Sequence, residues 1–135
     1  MGLEPPLPRQ WRASDDEAVE LCRDWMFYLG ATDVVVAQGE TQNTCDLYSI
    51  RFLAWVDNRR QNLDVEVVQN AANVAAADGR YPLVFVPGGV FPEAQDLADA
   101  LGVAILRFDS LGGDLDGASA MGRRLRATGL AAVAT

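Results

Sequence analysis

The stretch of the chain that decides its fold is CDLYSIRFLAWVD, residues 45–57. Its first part, residues 45–50, alternates polar and apolar side chains, which is typical of a strand. Its second part, residues 52–57, is a short apolar run that leads into a polar loop, and this pattern predicts a further strand. The stretch therefore predicts two consecutive strands near the middle of the chain.

A helix and a strand are predicted before this stretch. Ser14 and Glu17 have the S-x-x-E spacing of a capping box, in which each side chain accepts a hydrogen bond from the other residue's backbone N–H group. Apolar residues follow at helical spacing, and Gly30 is a typical stop at a helix C-terminus. Residues 32–37 are rich in β-branched side chains and indicate a first strand, whereas residues 38–43 are a polar turn.

Residues 63–78 fit two patterns. The first of them alternate apolar and acidic side chains like a strand, whereas the alanine-rich remainder follows helical spacing. The length and the alanine content favour a helix, with Asn62 as its N-cap. Downstream we predict a buried strand over 82–86, a helix from Pro92 to Gly102, and a last strand over 103–106.

The predicted element order is thus α-β-β-β-α-β-α-β. This order predicts an α/β fold of three layers, α/β/α, in which a central mixed sheet lies between helices. With 135 residues the chain has the size of one domain. We expect an extended or disordered arm over 1–12, the folded domain over 13–109, and a linker and C-terminal tail over 110–135, in which residues 118–127 are a candidate for a short helix.

The composition excludes several kinds of catalysis. The formal net charge is −8, and the eleven basic residues are all arginines, so the chain has neither lysine nor histidine. Histidine bases and metal ligands, Schiff-base lysines and the lysine of a P-loop are therefore excluded. The net charge also disfavours tight binding of nucleic acid, which needs a positive surface.

Nothing in the sequence indicates export or a membrane. The N-terminus lacks the basic and apolar stretches of a signal peptide, and no apolar run approaches the ~20 residues that span a bilayer. We therefore expect a cytoplasmic location and no membrane partner. Cys22 and Cys45 have the spacing of neither a zinc site nor a redox pair, so we expect two reduced, partly buried thiols.

Several local patterns resemble those of a known nuclease family. They are DEAVEL at 16–21 with the helix exit LGATD at 29–33, TCDL at 44–47, RFLAWVD at 51–57, and a helix and strand over 92–109 that end in Phe-Asp. Over residues 15–109 the chain resembles the Mrr-type restriction endonucleases of the PD-(D/E)xK superfamily. The resemblance implies a restriction-endonuclease-like fold with a site for metal-dependent cleavage of DNA.

The same resemblance implies that the site is degenerate. In the family, an aspartate and a Glu or Gln two positions before a lysine surround a divalent cation, and a glutamate of the first helix often assists. Asp46 matches the aspartate, and Glu17 is a candidate for the helix glutamate. Trp55 stands where Glu or Gln belongs, and Asp57 stands where the lysine belongs. The turn before Asp46 also lacks the family's glycines.

The carboxylates leave two alternatives open. Asp46 and Asp57 would hold Mg²⁺ or Mn²⁺ if they converge, and otherwise they are acidic residues at strand ends in solvent. Glu17 is either a site carboxylate or only the partner of Ser14 in the capping box. A second alignment, with residues 64–68 as the site strand, lacks the lysine as well.

Four further residues are candidates for binding a partner. Trp55 would stack on a base or on a partner's side chain, or else belong to the core. Arg51, Arg59 and Arg60 lie near the site strand in the sequence and could clamp phosphate. An arginine is a poor general base because it stays protonated, so we do not expect one to replace the lysine.

We therefore expect a catalytically degenerate domain that acts as a binding or interaction module, without a cofactor, for a protein partner or a second copy of itself. The alternative is a metal-dependent DNA-binding protein or weak DNA endonuclease that uses Asp46, Asp57 and Glu17. A third interpretation is an unrelated α/β domain in which the element order coincides by chance.

Overall fold

The computed structural model describes residues 4–131, and within them the chain forms four α-helices and one six-stranded mixed sheet. The elements are α1 (Asp15–Tyr28), β1 (Val35–Val36), a 3₁₀ helix (Gly39–Asn43), β2 (Leu47–Tyr48), β3 (Phe52–Val56), α2 (Val65–Asp78), β4 (Tyr81–Val86), α3 (Pro92–Leu101), β5 (Ala104–Phe108), β6 (Leu115–Gly117) and α4 (Ala120–Thr128). The α/β class is confirmed. The elements follow the predicted order, with one more strand and one more helix at the end.

The strands lie side by side in the order of the chain, from β1 to β6. β1, β2 and β3 form an antiparallel meander, β3, β4 and β5 are parallel, and β6 returns antiparallel to β5. The carboxyl ends of β3, β4 and β5 therefore meet at one edge of the sheet. In α/β proteins this edge is where ligands usually bind.

Helices cover both faces of the sheet and give three layers. On one face, α1 and α4 bury a core with the sheet that includes Trp25, Phe85 and Leu125. On the other face, α2 and α3 pack on the same strands through small residues such as Ala71 and Ala98. None of the helices within residues 4–131 is long and apolar enough to cross a membrane.

Ser119 joins α4 to β5. Its hydroxyl donates to the carbonyl of Val103 and accepts from the N–H groups of Ile105, at 2.9 Å, and Gly122, at 3.1 Å. Gly122 also lets the helix approach the strand closely, because a Cβ atom there would lie 2.1 Å from the carbonyl oxygen of Ile105. The first turn of α4 is thus fixed directly on the backbone of the sheet.

Several predicted bounds need correction. The first two strands are shorter than predicted, and the polar turn 38–43 contains the 3₁₀ helix. Residues 65–78 are helical as predicted, but the N-cap is Asp64, whose side chain accepts from the N–H group of Val67, and not Asn62. Leu63, just before the cap, is buried and bridges to Val90.

The largest correction concerns the C-terminal part of the chain. The candidate helix over 118–127 is present as α4, but residues 110–131 are not a linker, because β6 precedes this helix and Leu115, Leu125 and Leu130 belong to the core. Residues 132–135 of the predicted tail, like residues 1–3 of the predicted arm, lie outside the described residues. The rest of the arm has no helix or strand, but it is fixed by backbone hydrogen bonds from Arg9 to Leu111 and from Ala13 to Ser110.

Candidate functional site

A groove between the end of β3 and the start of α2 contains the two predicted aspartates. It encloses about 450 Å³ and opens to solvent. Its lining residues are Asp46, Trp55, Val56, Asp57, Arg59, Asp64, Glu66, Val67 and Asn70. The sheet register brings Asp46 and Asp57 here, because Leu47 pairs with Ala54 and so places the residue before β2 beside the end of β3.

Asp46 has a structural role at the end of the β2–β3 pair. Its N–H group donates to the carbonyl of Ala54 at 2.9 Å, and its carboxylate Oδ2 accepts from the N–H group of Val56 at 2.7 Å. The side chain thus supplies the acceptor that a longer β2 would have supplied from its backbone. One carboxylate oxygen is committed to the sheet in this way.

Burial raises the pKa of Asp46, and the negative charge of Asp57 raises it further. The hydrogen bond from Val56 opposes these effects, because it stabilises the charged form. Asp46 is therefore a desolvated carboxylate, and it has no ion pair among residues 4–131.

Asp57 is in a different electrostatic situation. Arg59 donates two parallel hydrogen bonds to the carboxylate of Asp57, from Nε to Oδ1 at 2.8 Å and from Nη2 to Oδ2 at 2.7 Å. The backbone N–H group of Arg59 also donates to Oδ1 at 3.2 Å. These bonds lower the pKa of Asp57, against the opposing effect of its burial. The side chain of Asp57 is 14% exposed, so both oxygens are engaged inside the groove.

Arg59 thus puts a cation at the place where the sequence offers only a carboxylate. Of the three arginines predicted near the site strand, Arg59 is the one that lines this groove, and the short loop after β3 folds it back on Asp57. The arginine cannot act as a general base, because it stays protonated. Its contacts with Asp57 neutralise the second carboxylate of the groove.

Trp55 is partly in the core, and its predicted stacking on a partner stays a prediction. Its indole Nε1 donates to the carbonyl oxygen of Thr44 at 2.8 Å, and its side chain packs against buried clusters that include Val84 and Ala75. The ring is nevertheless partly exposed and lines the groove. Its position is set by the core and not by a ligand.

Three of the predicted site residues lie elsewhere. Glu17 completes the capping box of α1 and forms an ion pair with Arg9, which together lower its pKa to about 2. Glu17 lines a groove between α1 and the arm and does not reach Asp46. Arg51 precedes β3, at the end of the sheet opposite to Asp57, and Arg60 lines a second groove at the ends of β4 and β5.

Three polar residues of the groove are not among the site residues predicted from the sequence. Asp64, Glu66 and Asn70 line the groove from α2. We considered residues 64–68 as a strand, but they form the N-cap and first turn of a helix. An acidic N-cap with an acidic residue in the first turn is the signal that would have placed them correctly.

The residues of the groove do not fit a divalent cation as they stand. Mg²⁺ needs several free oxygen ligands in octahedral geometry. Asp57 has both oxygens on Arg59, and Asp46 has one on Val56. In the described part of the chain, no three Asp, Glu, Cys or His side chains converge as a metal-binding group.

Both cysteines are free, and they are buried completely where partial burial was predicted. Cys22 lies in α1 and Cys45 lies just before Asp46. Burial raises the pKa of both thiols, and the charge of Asp46 adds to this effect. Neither thiol is therefore set up as a nucleophile.

Comparison with protein-family models, with curated proteins and with solved structures finds no match to this chain. The resemblance to Mrr-type endonucleases therefore stays a prediction that rests on the sequence patterns.

Proposed function

We propose that this chain is a catalytically degenerate restriction-endonuclease-like domain that acts as a binding or interaction module. The observation that carries the proposal is the pair of Asp57 and Arg59. At the position where a nuclease of this type has a free lysine beside its metal, the chain has an aspartate whose two oxygens are bound by an arginine. The guanidinium donates two of its N–H groups to Asp57, and it cannot activate water as a base because it stays protonated.

The absence of lysine and histidine supports the same proposal. Histidine is the side chain whose ordinary pKa lies closest to neutrality and so the most common general base, and the chain has none. Asp46 has a raised pKa, but one of its oxygens holds the backbone of β3. What remains is an α/β scaffold in which the carboxylates of Asp46 and Asp57 bind the backbone of β3 and Arg59.

The direct test is a plasmid-nicking assay with Mg²⁺ and with Mn²⁺. We expect no metal-dependent cleavage above the level of a buffer control. Asp46→Asn is the control variant, because an amide oxygen can still accept from Val56 while the charge is lost. Cleavage by the wild type that disappears in Asp46→Asn would refute the proposal.

A second test asks whether Arg59 is what keeps a metal away. We expect no binding of Mn²⁺ to the wild type by electron paramagnetic resonance, and weak binding in Arg59→Gln, where both carboxylate oxygens of Asp57 are released from the guanidinium. Arg60→Gln is the matched control, since it removes the same charge one residue away. Equal Mn²⁺ binding by the wild type and Arg59→Gln would contradict the role given to this arginine.

One observation favours a second candidate, a metal-dependent DNA-binding protein. Asp46 and Asp57 do share a groove at the carboxyl ends of the parallel strands. Glu17, the third residue of that alternative, has no place in the groove. Binding of duplex DNA that requires metal and weakens steeply with salt would support this candidate.

A further inference from the structure

A second groove lies at the carboxyl ends of β4 and β5 and encloses about 500 Å³. Three guanidinium groups from separate segments line it: Arg12 from the arm, Arg60 from the loop after β3, and Arg107 from β5. Gly88, in the turn after β4, forms part of its wall. The groove is distinct from the one that holds Asp46 and Asp57.

These three arginines have no carboxylate partner in the described part of the chain. The ion pairs found there use Arg9, Arg23, Arg59 and Arg80. Four other arginines of the described residues also lack an ion pair, so the distinguishing feature of these three is that they line one groove. Arg107 is nevertheless oriented, because its Nε donates to the carbonyl of Gly88 at 2.9 Å.

Apolar surface accompanies the arginines. The backbone bonds from Arg9 and Ala13 to the loop 110–111 hold the intervening arm in place. Trp11, in this fixed segment, is 75% exposed, and Leu111, which lines the groove, is 44% exposed. Tryptophan and arginine are the residues most enriched at the energetic centres of protein interfaces. Because the arm is already ordered, a partner would not have to bear the entropic cost of fixing it.

The groove also contains aspartates, and they restrict the kind of partner. Asp109, Asp114 and Asp116 line it, and the first two accept from the backbone N–H groups of Leu111 and Leu115. A nucleic-acid backbone carries a charge at every step and would bring phosphates against these aspartates. A peptide can place its acidic residues opposite the arginines and neutral residues opposite the aspartates.

We propose that this groove is the docking site for a segment of a partner protein in which acidic residues alternate with apolar or uncharged ones. The acidic residues pair with Arg12, Arg60 and Arg107, and an apolar residue packs on Trp11 and Leu111. The assignment rests on the proposed function as an interaction module, for which it names the surface and the chemistry of the partner.

The test is an array of short peptides in which leucine or phenylalanine alternates with acidic, neutral or basic residues. We expect the full chain to retain acidic peptides selectively. In the variant R12Q/R60Q/R107Q, the loss of three exposed ion pairs is expected to weaken binding about tenfold or more, at roughly two- to fivefold for each arginine. The single variant Arg12→Gln, which breaks no hydrogen bond found in the described residues, tests the effect without any change at Arg107.

The matched control is R51Q/R123Q/R124Q, which removes the same charge from arginines outside the groove. We expect it to bind like the wild type. The proposal is overturned if acidic peptides are not preferred, if the control weakens binding as much as the groove variant, or if duplex DNA binds in the groove instead. Neither variant changes Asp46, Asp57 or Arg59. The outcome of the peptide array therefore does not depend on the outcome of the nicking assay, and each proposal can fail alone.

Discussion

Replacing Ser119 with alanine tests how strongly the C-terminal helix is fixed to the sheet. The hydroxyl is fully buried and is the acceptor for two backbone N–H groups, those of Ile105 and Gly122. Ser119→Ala leaves both donors without a partner in a site too tight for bulk water. At about 1–2 kcal/mol for each buried donor, the free energy of unfolding should fall by about 2–4 kcal/mol.

The assay is urea denaturation followed by circular dichroism, supported by thermal melting. A domain of this size loses about 4 °C in melting temperature for each kcal/mol, so the expected drop is about 8–16 °C. Ser14→Ala is the matched control, because Ser14 caps α1 in the same way but is exposed, and it should cost about 1 kcal/mol. If the two variants lose equal stability, burial is not what makes Ser119 important, and the reasoning fails.

Three further variants probe the site and the scaffold. The pKa of Asp46 is raised, so ionisation of this carboxyl lowers the free energy of unfolding as the pH rises through that pKa. Asp46→Asn should therefore melt at or above the wild-type temperature at neutral pH, and the difference should vanish in acid. Glu17 has a pKa of about 2, so its ion pair with the arm is fully present above its ordinary pKa and is lost as the pH falls toward 2. At neutral pH, Glu17→Gln should therefore speed tryptic cleavage of the arm, whereas the control Glu20→Gln should not. Gly122→Ala should destabilise the chain by about 3 kcal/mol or more in urea, because its Cβ would lie 2.1 Å from the backbone oxygen of Ile105; a loss below about 1 kcal/mol would contradict this close packing.

The parts of the fold that were predictable have local causes. The capping box at Ser14 and Glu17 is a property of four consecutive residues, and it is present in the structure as expected. The strand β3 has enough apolar residues in a row to be recognised alone. Both signals depend on short-range contacts, which a single sequence carries.

The strand β6 was missed because its cause is not local. Its three residues, 115–117, follow a polar loop with two glycines and show no periodicity of their own. They are extended because they pair with β5, opposite Leu106, Arg107 and Phe108. Tertiary pairing of this kind leaves no trace in a three-residue window.

The candidate site was predictable only in part for the same reason. The meeting of Asp46 and Asp57 follows from the β2–β3 register, which two adjacent strand predictions already imply. The contact of Arg59 with Asp57 depends on the shape of a loop, and several arginines nearby were equally plausible from the sequence. Side chains that reach a site through a loop are the least predictable part of it.

The order of the strands has a consequence for folding during synthesis. Each strand pairs with the one synthesised just before it, so the sheet can grow one strand at a time as the chain leaves the ribosome. Until residues 115–117 emerge, β5 presents an open row of backbone donors and acceptors, the kind of edge that joins one nascent molecule to another. The last strand then replaces the five-residue edge of β5 with an edge of three residues, and a short edge strand limits such self-association.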